Sequence, residues 1–421
     1  MNRNLLRNRN YFFFFSANFF SFWGRGVTPV GPALSVYQWR GGAPATAVIG
    51  NALFLRILAF LIFSQPAGVL ADRFSRKKIL IVADVLRFAL LALFPFITEV
   101  WQVYLLIFLI NAVTAFFTPT FEASIPEVVG SEQYVKALSY SRVAVDIEAV
   151  AAPAIAGLLV VWLGVRWVFW FDAVTYLVSA ALVLFAVVPI VTKHIVPLSA
   201  KVFFTEIQTG TRILLREPSL RQALVLSFAE ATAGAAAIVA TVAYVRDALG
   251  KGDTAFALVM AALGLGSTVA AILLGRATGR YEQDAKTKID LHGRRHIWAQ
   301  RALVFGGVLL GAVLLPGFLV PPIFVFAVLW FLNGAGQALI AIPSSTLLAE
   351  HADEAERGKA YAAHFALTHA CWLITYPAIG YAAASFGTPA TFTAAGIACL
   401  LITLFAFLLG RGEQKNHTHP Q

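Results

Sequence analysis

The stretch GVLADRFSRKKILIVADVLRF, Gly68–Phe88, decides how this chain is read. Apolar sequence leads into it and stops at the mostly basic run DRFSRKK, Asp72–Lys78. Apolar sequence then resumes, carrying Asp84 and Arg87 back in with it. A chain that clusters its charges in short breaks between long apolar runs has the pattern of successive membrane spans joined by loops.

The composition agrees. Of the 421 residues, 59% are hydrophobic and 13% charged, and the mean hydropathy is +0.75. An ordinary soluble domain is about 25% charged. No soluble core hides this much apolar surface, so the bilayer is the natural solvent. The net charge of +10 is scattered in short clusters between apolar segments rather than gathered on one face, which sets aside a nucleic-acid partner. Cys371 and Cys399 stand within apolar sequence without CxxC spacing and read as small core residues, with no metal site or redox pair and no cofactor. Arg3, Arg7 and Arg9 precede YFFFFSANFFSFWG, and the apolar run continues without a small-residue cleavage site, as in a retained first span.

Against a ruler of about 20 apolar residues per span, about twelve spans are expected. They lie near 11–36, 47–70, 79–97, 102–121, 137–162, 167–188, 221–245, 254–276, 301–319, 322–345, 360–383 and 389–410. Basic residues crowd the tails and alternate connections, whereas the opposite side carries only Arg40, Arg166, Arg246 and Lys251. This bias places both termini in the cytoplasm. The chain also repeats. PAIAG (153–157) answers PAIGY (377–381), KALSYS (136–141) answers KAYAAH (359–364), Pro119 answers Pro343, and GVLADR (68–73) answers GRATGR (275–280). The expectation is an all-α membrane protein of two pseudo-symmetric six-helix bundles, 1–188 and 221–410, with a cytoplasmic linker at 189–220 and a tail at 411–421. Parallel repeats of this kind set a substrate site between the halves near the midplane.

Gly68, Leu70, Ala71, Asp72, Arg73, Arg76 and Lys77 match the loop motif of the major facilitator superfamily, with Ser75 where that motif has its second glycine. FFTPTFEASIPEVV (116–129), ADVLR (83–87), FDAVTYLVSAAL (171–182) and EIQTGTRILLREPSLR (206–221) resemble the drug/proton antiporter branch, which includes macrolide and enterobactin exporters. The chain departs from other drug-antiporter branches at Asn111, where they carry an arginine, and at AAPAIAG (151–157), which lacks the leading glycines of the antiporter motif. The resemblance implies the major facilitator fold and transport of small molecules by secondary coupling. It also implies a gating role for Gly68, Asp72, Arg73 and Arg76, and a cavity lined by the first, fourth, seventh and tenth spans.

An ionisable group at the bilayer centre costs about 2.5–3.5 kcal/mol on insertion scales, so each one needs a partner or a task. Asp84 and Arg87 are three apart on one helix face and read as a self-compensating pair that locks the third span to the loop motif. Arg142 and Asp146 are four apart and pair in the same way, which leaves Glu148 to another partner, a proton or water. Glu230 has no basic residue within a turn on either side. Glu148, Glu230 and Asp146 are therefore the proton-coupling candidates. Arg25 and Arg56 share a depth, with Asn18 on the face of Arg25. They either hold an anionic group or serve as partners of Asp146 and Glu148. Asn333 and Gln337 face together on the tenth span. With Asn111 and Tyr376 they complete the substrate-cavity candidates. Asp172 reads as a structural hydrogen-bonding group. His364 and His369, five apart, do not share a face and make a poor metal site. The aromatic runs FFFF and WVFWF are expected mostly on lipid-facing surfaces.

Nothing resembles a nucleotide loop, a nucleophile elbow or a zinc signature, so the reading is a transporter and not an enzyme. Drug-like or amphipathic cargo leads. A siderophore or other anionic metabolite, a lysophospholipid, and a transport-dead sensor stay open. The expected setting is a bacterial cell membrane, with protons, lipid and substrate as partners of a functional monomer.

Overall fold

A computed structural model describes residues 8–27, 32, 35–37, 41–130, 133, 137, 159, 162–188, 200–284, 288–351 and 357–414. Among these residues the regular structure is helical throughout. In chain order the helices are α1 (Arg9–Val27), α2 (Gly42–Arg73), α3 (Arg76–Ala92), α4 (Val100–Val129) and α5 (Val165–Phe185). They continue with α6 (Ala200–Arg216), α7 (Pro218–Ala235), α8 (Asp253–Asp284), α9 (Lys288–Leu314), α10 (Ile323–His351), α11 (Arg357–Phe386) and α12 (Thr388–Gln414). Nine helices among the described residues are long and apolar enough to cross a membrane. α11 is 30 residues long, about 45 Å at 1.5 Å per residue, but its apolar run is broken by His364, His369 and Thr375. The expected span at 137–162 lies almost wholly outside the described residues.

The chain divides into two compact units, Met1–Gly41 with Asn51–Leu198, and Gly42–Gly50 with Ser199–Gln421. In the first unit α5 packs on α1 and α3, and α3 packs on α4. Its core gathers Tyr11, Phe14, Leu80, Phe117, Phe121 and Ile125. The FFFF run therefore splits: Phe12 is exposed, while Phe14 is buried and stacks on Phe121 with ring centroids 4.2 Å apart. WVFWF splits likewise, with Trp167 exposed and Phe169 stacked on Phe94 at 4.7 Å. A helix turns about 100° per residue, so a run of identical residues must face both lipid and core. The lipid-facing expectation holds for only part of each run.

In the second unit α8 packs on α10 along most of its length. Glycines permit the close approach. A β-carbon at Gly266 would lie 1.7 Å from the carbonyl oxygen of Phe331, and one at Gly334 would lie 1.9 Å from that of Leu263. Without a hydrophobic drive between helices in lipid, such small-residue contacts hold the pair by dispersion. α7 is the most enclosed of the spans and contacts α9, α10, α11 and α12. It continues to Ala248 through two π-helical stretches, Ala236–Ala240 and Tyr244–Ala248. A wide turn of this kind re-aims side chains within a helix and is often found near functional groups.

Part of the expected linker is ordered as α6, an amphipathic helix that packs on α11. Gly210 sets that contact, because a β-carbon there would lie 2.1 Å from the Lys359 carbonyl oxygen. The first turns of α2, assigned to this unit, also meet α11: Thr46 donates to the Gly380 carbonyl at 3.0 Å.

Candidate functional site

The charges carried into the third span are resolved inside the first unit. Asp84 and Arg87, both fully buried on α3, form an ion pair. Ser179 of α5 donates its hydroxyl to the other carboxylate oxygen of Asp84 at 2.6 Å. The guanidinium of Arg87 sits 4.1 Å from the centroid of the Phe117 ring and 4.4 Å from that of Tyr176. Two aromatic faces, one from α4 and one from α5, thus bracket a planar cation, a geometry that suits arginine and not lysine. The expected pairing is present. Among the described residues the pair ties α3 to α4 and α5 through those two rings and the Ser179 hydroxyl.

The loop motif makes its own ties. Arg76 donates to the Ala123 carbonyl at 2.7 Å and pairs with Glu127, both on α4. Lys77 donates to the Leu184 carbonyl on α5 at 2.8 Å. The side chains of Gly68-neighbouring Asp72 and Arg73 lie outside the described set, as do Arg25 and all of Arg142, Asp146 and Glu148. Of the remaining first-unit candidates, Asn18 is buried on α1, and Asn111 turns its amide back to the Ile107 carbonyl of its own helix at 2.8 Å. Arg56 is half-buried on α2, with no ion pair or hydrogen bond among the described residues. Asp172 is fully buried on α5.

Glu230 lies on α7 in the second unit and makes no hydrogen bond or ion pair among the described residues. The face around it is built by α11. Thr375 donates to the Ala231 carbonyl at 3.2 Å, and the Cys371 thiol lies within electrostatic reach of the Glu230 carboxylate. One turn beyond Glu230, Gly234 leaves room for the indole of Trp372; a β-carbon there would lie 2.2 Å from a ring atom. Trp372 in turn meets Tyr376, with ring centroids 5.2 Å apart. Cys371, Trp372 and Thr375 were absent from the sequence-based candidates. Gly234, four residues after Glu230 and hence on its face, was the available signal.

Asn333 and Gln337 share a face on α10 as expected, and Gln337 donates to Asn333 at 2.7 Å. The amide nitrogen of Asn333 is buried without a partner. His369 stacks on Phe365 with centroids 3.7 Å apart, and the Nε2 of His364 is buried without a partner. No cluster of metal-ligating side chains occurs among the described residues. Tyr376 is buried on α11, near enough to α2 that a β-carbon at Gly50 would lie 2.5 Å from its carbonyl oxygen.

Among curated proteins, macrolide efflux protein A of Enterococcus faecalis is 30% identical over 180 residues, 42% of this chain and 55% of that protein. Macrolide efflux protein A of Streptococcus pyogenes is 28% identical over 212 residues, 48% of this chain and 52% of that protein. The chain thus spans about half the length of these relatives. The MFS-type transporter YfiS of Bacillus subtilis (strain 168) is 24% identical over 82% of this chain and 80% of its own. Among solved structures, a bacterial homologue of the human lysosomal transporter Spinster matches with a TM-score of 0.73 at 12% identity, covering 99% of both chains. A POT family transporter in complex with 5-aminolevulinic acid matches at 0.72 and 12% identity over 94% of this chain and 96% of its own. At such identities these structures speak for the fold alone. The family model of the Major Facilitator Superfamily matches residues 14–289 and 232–421. With apolar helices, the loop motif and compensated membrane charges already in place, that match settles the membership: the chain belongs to the major facilitator superfamily of membrane transporters.

Proposed function

We propose that this transporter exports amphipathic, drug-like molecules by alternating access, coupled to protons, in a bacterial cell membrane. The observation that carries the reading is Glu230. A carboxylate on an enclosed membrane helix, lacking a cationic partner among the described residues, is held there at a cost that a neutral side chain would not incur. Proton uptake removes the charge and release restores it, so the group biases two conformations of the same helix in opposite directions. Asp146 and Glu148 stay candidates for the same task. Two relatives named for macrolide efflux support both the export direction and an apolar, bulky cargo.

In this reading the two bundles rock about a central cavity, with both termini on the cytoplasmic side. Asn18, Arg25, Arg56, Asn111, Asn333, Gln337 and Tyr376 contribute to cargo binding. The Gly68–Arg76 motif sets the equilibrium between inward and outward states. A second reading is favoured by Arg56, whose half-buried guanidinium is without a described partner and suits an anionic metabolite such as a siderophore. Lysophospholipid movement and sensing without transport are further rivals.

Reconstitution into proteoliposomes under an imposed pH gradient tests the proposal. The expected result is gradient-driven accumulation of a macrolide, with Glu230→Gln abolishing coupling while macrolide binding persists. The proposal fails should no candidate cargo move, or should Glu230→Gln and Glu148→Gln both leave proton flux unaltered. Arg56→Ala separates the cargo classes, since it weakens only anionic cargo.

A further inference from the structure

A groove of about 670 Å³ opens on the second unit between α7, α9 and α12. It lies where the spans Pro218–Ala248 and Ile297–Leu319 begin and the span Thr388–Gly410 ends, so it sits at one end of the apolar layer. This is also a basic end of the unit, with Arg212, Arg216 and Arg221 leading into α7. The groove has two chemistries. Val304, Phe305, Val308 and Phe407 form an apolar wall, and Phe305 and Val308 are exposed on it. Val308 lies seven residues past Arg301 on α9, about 10 Å deeper at 1.5 Å per residue. The mouth is polar and carries Gln222, Gln300 and Arg301, one cation and no acid among the described residues.

Gln222 supplies a second, independent pointer to a ligand. Its side chain is buried, only 4% exposed, and its amide nitrogen donates to the Ala406 carbonyl at 3.3 Å. The amide oxygen on the same side chain is buried without any partner. A buried acceptor left unmatched costs stability that a donor in the groove would recover. Gly410 keeps the space open: a β-carbon there would lie 3.0 Å from the Gln222 amide nitrogen.

We propose that this groove is a binding site for an anionic phospholipid with a hydroxyl-bearing headgroup, phosphatidylglycerol in chemical type. The phosphate pairs with the Arg301 guanidinium, a headgroup hydroxyl donates to the Gln222 amide oxygen, and an acyl chain lies along the Phe305–Val308 wall. A choline headgroup offers no N–H or O–H donor, and its cation would face Arg301 with no acid among the described residues to receive it. The same lack of an acid disfavours an ethanolamine headgroup. The proposal is independent of cargo and coupling, since the groove contains no residue assigned to either.

Native mass spectrometry of the full-length protein in detergent, titrated with phosphatidylglycerol, phosphatidylethanolamine and phosphatidylcholine of identical acyl chains, provides the test. Phosphatidylglycerol is expected to bind tightest. Arg301→Ala should weaken it by about five- to tenfold, to the level of phosphatidylcholine, while Arg301→Lys restores part of the preference. Gly410→Leu, which fills the mouth, should remove the bound lipid while Arg301 is intact. Equal binding of the three lipids overturns the proposal, as does undiminished preference in both Arg301→Ala and Gly410→Leu. Thermal melting of each variant without added lipid shows that the fold is retained. Arg301 is exposed at the groove mouth, so a loss of folding is not expected there. Preferential binding of ethanolamine lipid would likewise overturn it.

Discussion

Asp84 and Glu230 are both acids carried on membrane-spanning helices, and the protein treats them in opposite ways. Asp84 is discharged where it stands: Arg87 pairs with one oxygen, Ser179 donates to the other, and two rings enclose the cation. Glu230 has a cysteine, a threonine and a tryptophan nearby, and makes no ion pair or hydrogen bond among the described residues. The penalty for bringing a charge into the bilayer is similar in kind for both. The difference is that the first acid is stabilised by its fixed partners, which makes it a structural device, whereas the second is left responsive. A carboxylate that is already paired gains little by exchanging a proton; one that is unpaired gains a great deal.

The contrast breaks most visibly at Arg87. Arg87→Ala strands Asp84 in the core of the first unit, and removal of one partner from a buried pair costs about 3–5 kcal/mol. Thermal unfolding in detergent should show a severe loss of stability, or no folded protein at all. Arg87→Lys should fall between, because an ammonium keeps the charge yet lacks the planar face that Phe117 and Tyr176 bracket. A variant Arg87→Ala as stable as the parent would show that the pair contributes nothing, and the distinction between the two acids would collapse.

The next largest effect is expected at Gly234, beside the other acid. Gly234→Val places a side chain where the Trp372 ring lies, and overpacking of this kind costs about 1–3 kcal/mol. Trp372→Ala in the same chain should recover part of that loss, which a double-mutant cycle on melting temperature would read. Full additivity of the two substitutions would mean that the indole does not rest on Gly234.

Much of the fold is legible in the sequence because helical spacing is a local code. The apolar runs, the Asp84–Arg87 spacing and the shared face of Asn333 and Gln337 all follow from residues three or four apart. What surrounds Arg87 is not local. Ser179 is 95 residues from Asp84, and no spacing rule connects them. Phe117 and Tyr176 likewise belong to different helices, and an aromatic residue in a lipid-facing run cannot be told from one in the core until the helix is oriented, as Phe12 and Phe14 demonstrate. The π-helical stretches that follow α7, AAIVA (236–240) and YVRDA (244–248), leave no mark in composition, since all of these residues also occur in ordinary helix. Helix α6 carries its amphipathic pattern in the sequence, but the helix that it packs on, α11, is distant in the chain, and no spacing rule connects the two.

A smaller effect is expected at Ser179. Ser179→Ala removes the 2.6 Å hydrogen bond to Asp84 but leaves the ion pair and both rings in place. Interhelical side-chain hydrogen bonds within membranes average about 0.6 kcal/mol in double-mutant cycles, well below their strength in isolation. A modest fall in melting temperature is therefore expected, and it should vanish when Asp84 is already replaced by alanine and the acceptor is gone. A loss as large as that of Arg87→Ala would assign the main anchoring role to the hydroxyl rather than to the cation.

The smallest stability effect is expected at Glu230, and it sharpens the comparison most. Glu230→Gln keeps the size of the side chain and removes the ability to carry charge. No described partner is stranded by the change, so stability should stay within about 0.5 kcal/mol of the parent or rise. Asp84→Asn is the matched control: it is equally conservative in shape, yet it leaves Arg87 buried without its anion and should lower stability by several times that amount. Measured side by side in one detergent, the two amide substitutions ask the same question of both acids. A large loss for Glu230→Gln would mean that this carboxylate also holds helices together. The proton-coupling role would then pass to Asp146 or Glu148, and Glu230 would join Asp84 among the structural charges.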